Sequence, residues 1–540
     1  MARSFRYLLI LVLVATGTGL AAVGGWRFAR TSAPANGPII LISVDSLRAD
    51  RLPAYGYHNV RTPAIDSLAA DGVLFERAYS HAPLTLPAHA SLLSGRLPFE
   101  TGVRDDSGFT VKPEEQMLSH MLRARGFATA GVASSPALGA RTGIGQGFDF
   151  YDADMPRVTP AADVRSRERD GQESERIAEQ WLADQRSSRV FLFLHLNEPH
   201  APYEPPERFG LLDPYDGEVA YADEIIGRLT TYLKSRHLYD QATIILLADH
   251  GEGLGDDGER GHGVFLNDDT IHVPLIVKQA GNARAGSRVA DIVQQIDIVP
   301  TLLDLAKAPA PGNLQGLSLK PLLDGPARLP GRSVYSETLY AQYHFGWRGQ
   351  TALTDAGETT IHAPTDGGTL PDIEEKRPAL DSYRQALDLA AMRNWSEASD
   401  RLQQILAEDP QMIDAWDRLA AFSIRAERFD QAVEAYRRVI ELGGPDRYAE
   451  AEQEFVDELK DFPTDTVASA SLASLHQAAG RPDAARHTID EMLRAAPTPE
   501  TYAAATRLWT AFGNKKLADA VRAQARLEFS PRVQQRAAQP

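Results

Sequence analysis

Three short segments carry side chains suited to chemistry. Asp45 stands in Ser43-Val44-Asp45-Ser46, directly after an apolar run at 39–44, and Asp249-His250-Gly251-Glu252-Gly253 directly follows another at 243–248. Two carboxylates and an imidazole delivered at strand ends suit one harder divalent cation, with oxygen ligands and one nitrogen, better than a structural zinc. Between them, Thr85-Leu86-Pro87-Ala88-His89 opens a stretch that ends in Ser94-Gly95-Arg96. Pro87 suits a first helical turn, so Thr85 would lie where backbone N–H groups and the helix dipole favour an anion. Read singly, Asp45 is equally a helix cap and Thr85 an N-terminal cap. His195 sits in an apolar alternation and reads as a satisfied core histidine, as do His81 and His272.

These residues need a frame that gathers strand ends. From 38 to about 348 short apolar runs alternate with amphipathic stretches, which is the α/β pattern. Strands are predicted at 39–44, 128–132, 190–196, 243–248 and 274–278, and helices at 64–70, 114–125, 173–182 and 220–236. The runs are continuous rather than alternating, so the expected sheet is parallel or mixed, with helices on both faces. In such sheets ligands sit at the carboxyl ends of strands, where Asp45 and Asp249 fall.

The flanks read differently. Residues 7–25 are uncharged and rich in Leu, Val and Ala, with Arg3 and Arg6 before them, long enough for a membrane helix. An uncleaved signal anchor is the expectation, with a signal peptide cleaved after Gly19-Leu20-Ala21 as the alternative, a linker at 26–37, and an extracytoplasmic, periplasmic catalytic domain. Beyond a Gly/Thr/Pro-rich linker at 351–380 the chain reads as all helix over 381–530. Trp395 and Ala398 recur as Phe429 and Ala432, 34 residues on, and Ala485 and Ala520 lie 35 apart. Pro410 and Pro497 each follow the small alanine of their unit by 12 residues. That period resembles a tetratricopeptide array with an irregular unit at 443–462, a surface for a protein or peptide partner. The formal charge of −17 argues against nucleic acid as a partner, and the absence of cysteine excludes thiolate metal sites and a cysteine nucleophile.

The three segments, taken in order, resemble the sulfatase family of the alkaline phosphatase superfamily over about 38 to 348. In that family a Cys or Ser, then x-Pro-x-Arg, then a helix ending in Thr-Gly-Arg carries the nucleophile. Here Thr85 takes the nucleophile position, Pro87 the proline, His89 the arginine, and Ser94-Gly95-Arg96 the end. Asn197-Glu198-Pro199-His200-Ala201-Pro202-Tyr203 is similar to the family's Pro-His-x-Pro-Tyr segment, which gives His200 a contact with the leaving or transferred group. Asp249 and His250 inherit ligand roles, and His262 lies near where many relatives place a lysine. The resemblance implies an alkaline phosphatase-like sheet and one divalent metal ion (Ca, Mn, Mg or Zn) held by Asp45, Asp249, His250 and Thr85. The implied catalytic set is Thr85, His200, His262 and His89. The Asp-x-x-x-His pair of two-metal relatives is missing from 197–205.

The chain departs from the family where its chemistry is decided. Ser46 stands where a second Asp is usual, and 130–135 lacks the family's lysine and histidine. Threonine cannot give formylglycine, because its Cβ already bears a methyl and oxidation would yield a ketone. Thr85 must therefore act as a plain alcohol, which suits attack at phosphorus, with a lowered hydroxyl pKa, better than release of sulfate. The expected function is hydrolysis of an anionic ester, a phosphoester or phosphonate. The alternatives are a sulfuric ester hydrolase, a phosphoryl-group transferase to a lipid or glycan, and a noncatalytic tetratricopeptide scaffold.

Overall fold

The structure is a computed structural model, and it describes residues 37–156, 168–187, 189–256, 259–355, 358–362 and 370–529. They fall into two compact units. Of these residues, the first unit takes those within 37–155, 168–338 and 351–362, and the second takes 156, 339–350 and 370–529.

The first unit is built on an eight-stranded sheet. Its strands are β1 (Ile39–Val44), β2 (Val73–Tyr79), β3 (Ala128–Val132), β4 (Phe150–Asp152), β5 (Val190–Leu196), β6 (Thr243–Ala248), β9 (His272–Lys278) and β10 (Ser287–Gln294). Two-residue strands β7 (Gly253–Leu254) and β8 (Arg260–Gly261) form a small ribbon, and β11 (Val334–Thr338), β12 (Gln350–Asp355) and β13 (Glu358–His362) a separate sheet. The large sheet runs β10-β2-β9-β6-β1-β5-β3-β4, with β9 antiparallel to both neighbours and every other pairing parallel. The expectation of a mixed sheet is met, and β1, β5 and β6 are buried along their whole length. Alternate side chains of a strand face opposite ways, so that burial means both faces of the sheet centre are covered.

Helices α1 (Pro63–Asp71), α2 (Thr85–Ser94), α3 (Gly171–Asp184), α4 (Pro214–Ser235) and α5 (Ile298–Leu305) supply the cover. Of these α3 packs on β3 and β5, α1 packs on α4, and α2 packs on α5. One apolar core runs through strands and helices, from Ile39 to Leu323. The register is what positions the site. Val44 pairs with Leu196 on one side and Ala248 on the other, so Asp45, Asn197 and Asp249 leave the sheet at the same level.

Residues 351–355 and 358–362, read from sequence as the start of a linker, instead belong to β12 and β13, which pair antiparallel. The β-branched residues Thr351, Thr354, Thr359, Thr360 and Ile361 favour strand there, and most of the Gly/Pro content that suggested a linker follows it. Residues 7–25, expected to be an anchor, lie outside the described residues. Among the described residues no helix is long and apolar enough to cross a membrane.

The second unit is helical, as expected: α6 (Arg377–Ala391), α7 (Trp395–Glu408), α8 (Ile413–Arg425), α9 (Phe429–Asp461), α10 (Thr466–Ala478), α11 (Pro482–Ala495), α12 (Pro499–Ala511) and α13 (Lys515–Glu528). Each packs on the next in sequence. The irregular stretch expected at 443–462 is the second half of α9, which breaks at Gly444 with φ 72°. Ala398, Ala432 and Ala485 are fully buried, as small residues between helices should be. The last unit differs from the sequence reading: its buried small residue is Ala518, while Ala520 is exposed.

Candidate active site

Asp45 leaves β1 through a backbone bond from its own N–H to Leu196 O at 2.9 Å. Ser46 then takes a left-handed conformation, φ 57°, which is uncommon for a non-glycine residue. That turn aims the Ser46 N–H at Asp249 Oδ1 (3.3 Å) and lets its hydroxyl donate to Asp45 Oδ1 (3.2 Å). Where the family commonly has a second aspartate, Ser46 orients both carboxylates instead of adding one. Tyr215 of α4 locks the loop by donating to Ser46 O (2.8 Å) and accepting from Arg48 N–H (2.9 Å).

The Asp249-His250-Gly251 turn is fixed by backbone and one glutamine. Gln295 Nε2 donates to Ala248 O (2.9 Å) and Asp249 O (2.6 Å), and Gly251 N–H donates to Thr270 O (2.8 Å). Gly251 is required by space, because a Cβ there would lie 1.9 Å from Asp269 O. The His250 ring donates from Nδ1 to Gly251 O (2.9 Å), which leaves the Nε2 lone pair free to face inward.

Thr85 is the first residue of α2, and Pro87 sits in the first turn as expected. Its Oγ1 lies 3.4 Å from His250 Nε2 and 3.5 Å from Asp45 Oδ2. His250 Nε2 is in turn 3.5 Å from Asp45 Oδ1 and 3.5 Å from Asp249 Oδ2. Asp45, Asp249 and His250 thus converge, all three buried. Ligands about 2.1 Å from one ion in a tetrahedral arrangement stand about 3.4 Å from one another, so the spacing fits one cation. The electrostatics fit as well. Burial and the Asp45 charge push the Asp249 carboxyl well above the usual carboxylate range, and its Oδ2 has no hydrogen bond. Burial also acts to raise Asp45, but the His195 ring against it and the positive charge of His200, with the His250 ring beside them, outweigh it and hold Asp45 low. Burial keeps His250 neutral, as a metal ligand must be. Two buried carboxylates side by side cannot both ionise without a compensating charge, and a divalent cation supplies one.

His89 lies under Thr85. Its Nδ1 donates to Thr85 O (2.7 Å), its Nε2 accepts from Ser43 Oγ (2.9 Å), and burial lowers its pKa to about 3. Both nitrogens are thereby committed to tying α2 to β1, with Nδ1 3.6 Å from Asp249 Oδ2. His195 departs from the core reading. Ser134 N–H faces its Nδ1 (3.4 Å), so the proton is on Nε2, which meets Asp45 Oδ2 at 3.3 Å. His89, His195 and Asp249 also converge, but in these tautomers neither ring turns a lone pair toward Asp249. His81 and His272 do behave as structural histidines, bonded to Tyr335 O (2.6 Å) and Glu76 O (2.9 Å).

On the other side of Thr85, His200 and His262 meet with their Nε2 atoms 3.2 Å apart. His262 Nδ1 donates to Pro83 O (3.0 Å), and its ring lies 4.3 Å from that of His250. Burial and the neighbouring His250 and His200 hold His262 neutral. Burial acts against charge on His200 too, but the Glu168 contact and the charges of Asp45, Glu168 and Glu252 overcome it and raise its pKa to about 10. Asp106 accepts from Leu86 N–H (2.7 Å) at the start of α2, and burial and Asp105 raise its pKa to about 7. Sequence spacing marked neither Asp106 nor Glu168, since each approaches the site from a loop with no motif.

A family model described as Sulfatase matches residues 38–308, just over half of the chain. The chain is 26% identical over 349 residues to an ulvan-active sulfatase of Formosa agariphila, covering 54% of this chain and 66% of that one. It is 28% identical over 412 residues to arylsulfatase A of Homo sapiens, covering 65% and 79%. The fold is similar to that of a phosphonate monoester hydrolase of Agrobacterium radiobacter, with a TM-score of 0.53 and 21% identity over 69% of this chain and 96% of that one. The family match spans β1, the Thr85 helix and the Asp249–His250 turn alike, and the chain belongs to the sulfatase family, whose members are hydrolases of sulfate and phosphonate esters.

Proposed function

We propose that this protein hydrolyses an anionic ester of phosphorus, a phosphoester or phosphonate, with Thr85 as nucleophile. The observation that carries the reading is Thr85 Oγ1 at 3.4 Å from His250 Nε2 and 3.5 Å from Asp45, at the N-terminus of a buried helix. Asp45, Asp249, His250 and Thr85 would hold one divalent cation, of the Ca, Mn, Mg or Zn kind. When bound, it supplies positive charge that lowers the hydroxyl pKa of Thr85 and polarises the ester.

The chain's own groups do the rest. Thr85 Oγ1, its proton lost to solvent at the lowered pKa, attacks phosphorus and becomes esterified as the bond from phosphorus to the leaving oxygen breaks, and His200 gives a proton to that oxygen. Water then attacks phosphorus, returns a proton to His200 and frees Thr85. His262, neutral and fixed on Pro83, orients His200 and faces the transferred group. His89 acts from below, keeping the first turn of α2 in register with β1.

A sulfuric ester substrate is the second reading, favoured by the names of the two relatives above. Against it stands the lack of an aldehyde precursor at Thr85. The experiment is a panel of aryl sulfate, phosphate monoester, phosphodiester and phosphonate monoester, with added Mn, Mg, Ca or Zn. The phosphorus esters should be turned over by far the faster, and a wide margin for the aryl sulfate would sink the proposal. We further propose that the helical unit is a tetratricopeptide-like array that receives a protein or peptide, and that 7–25 anchors the chain with the catalytic unit outside the cytoplasm. Pull-down with 377–529 and fractionation of the full chain test these.

A further inference from the structure

Glu168 lies outside every motif that marks the site, yet both of its carboxylate oxygens reach it. Oε1 stands 3.4 Å from His200 Nδ1, and Oε2 accepts from Asn197 Nδ2 at 2.7 Å. The backbone beside it is pinned. Arg169 is 4% exposed, its N–H donates to Ser134 O (2.9 Å), and its guanidinium binds Ala133 O (2.6 Å), Ser174 Oγ (2.8 Å) and Asp152. Asn197 also holds the other partner, because His200 N–H donates to Asn197 O at 2.8 Å. One residue at the end of β5 thus fixes both the carboxylate and the imidazole.

The orientation follows from the partners. His262 Nδ1 is spent on Pro83 O, so His262 Nε2 is an acceptor, and the proton between the two Nε2 atoms belongs to His200. With Nδ1 at ion-pair distance from the Glu168 carboxylate, His200 therefore carries protons on both nitrogens, and its Nε2–H faces His262, whose ring lies 4.3 Å from that of His250. Such a carboxylate–imidazole pair sets ring orientation and favours the charged ring.

We infer that Glu168 is a positioning residue for His200, holding the ring so that its Nε2 proton can pass to the leaving oxygen. The inference rests on the hydrolase reading above. As the phosphorus–oxygen bond to the leaving group breaks, the electron pair stays on the leaving oxygen and the Nε2 proton moves onto it. His200 is left neutral, keeping its Nδ1 proton on the Glu168 side, and regains the Nε2 proton from the water that later attacks phosphorus.

The test is a double-mutant cycle on the full chain, read on phenyl and 4-nitrophenyl esters of the phosphorus acid it turns over. Glu168→Gln should lower kcat on the phenyl ester roughly 10- to 100-fold, part of the 10²–10⁴ that general acid catalysis contributes. On the 4-nitrophenyl ester, whose leaving oxygen needs little help from a proton, the loss should be only a few-fold. In a His200→Ala background Glu168→Gln should change neither rate further. Equal loss on both esters, or an undiminished loss without His200, would overturn the inference. Spectra of protein labelled with ¹⁵N-histidine decide it independently of turnover: at pH 8 His200 should carry two ring protons in the parent chain and one in Glu168→Gln. Identical protonation in the two would overturn it. If neither ester is turned over, the hydrolase reading falls while the spectra still judge Glu168.

Discussion

His195 Nε2 stands 3.3 Å from Asp45 Oδ2, both side chains buried, and the Ser134 N–H at Nδ1 puts the ring proton on the Asp45 side. The histidine thus turns its N–H side toward a proposed metal ligand without being one, a close contact that orients the carboxylate and tunes its charge. The pair is possible because His195 and Ser43 are partners in the β1–β5 register and point to the same face, toward His89.

His195→Ala should therefore weaken metal binding roughly 10- to 100-fold without abolishing it, the usual cost of losing such an outer partner. Titration with Mn or Zn, followed by calorimetry, reads this directly. Affinity equal to that of the parent chain would mean that Asp45 is held by Ser46 alone.

Gly251 is fixed by space rather than by chemistry. Its Cβ position falls 1.9 Å from the Asp269 carbonyl, a backbone atom bonded to Glu252 N–H at 2.9 Å that has little freedom to retreat. Gly251→Ala should cost about 3 kcal/mol or more, at the upper end for a point change, and displace His250 with it. Thermal unfolding and metal titration should fall together, and a stable variant with intact metal affinity would contradict the packing described.

The frame of this site was legible because continuous apolar runs followed by Asp can be counted in a sequence. The five predicted strands all exist, and Asp45, Thr85, Asp249 and His250 are brought together. What was not legible depends on register and on loops. His195 looks like any core histidine until β1 and β5 are aligned, and Glu168 sits in a polar run with no spacing to mark it. His89 was expected at the chemistry by its place in the motif, and its side chain is instead held between Thr85 O and Ser43. Residues 351–355 and 358–362 show the opposite failure, where composition suggested a linker and β-branched Thr and Ile side chains support two antiparallel strands.

Glu198 carries a pH dependence of stability. It is 8% exposed, Oε1 accepts from Gly171 N–H (2.9 Å), Oε2 has no partner, and burial raises its pKa from 4.5 to about 8. Between about pH 4.5 and about pH 8 the folded chain keeps this proton and the unfolded chain has lost it. Stability from this group is therefore complete below about pH 4.5 and falls as pH rises, by up to about 1.4 kcal/mol per pH unit. Glu198→Gln keeps the Oε1 acceptor and removes the titration. Urea midpoints of the catalytic unit at pH 5.5 and 8.0 should then draw closer than in the parent chain, and parallel shifts would rule out this source.

Thr85 offers the decisive chemical test. A threonine that merely began α2 would contribute about 1 kcal/mol through its side chain, so Thr85→Ala would leave turnover nearly intact. A nucleophile behaves otherwise. Its loss should lower kcat by several orders of magnitude even with the cation supplied in excess for the three remaining ligands, while the unfolding temperature stays close to that of the parent. Thr85→Ser should keep part of the activity, since its hydroxyl can take the same place 3.4 Å from His250 Nε2. Rapid acid quenching with a phosphorus ester should leave the phosphoryl or phosphonyl group on Thr85, found by peptide mass. On a 4-nitrophenyl ester, whose leaving oxygen needs little help from His200, the group should also accumulate when His200→Ala slows the step in which water gives up its proton. Near-normal turnover by Thr85→Ala, with the metal still bound, would remove the threonine from the reaction and leave an activated water as the attacking group.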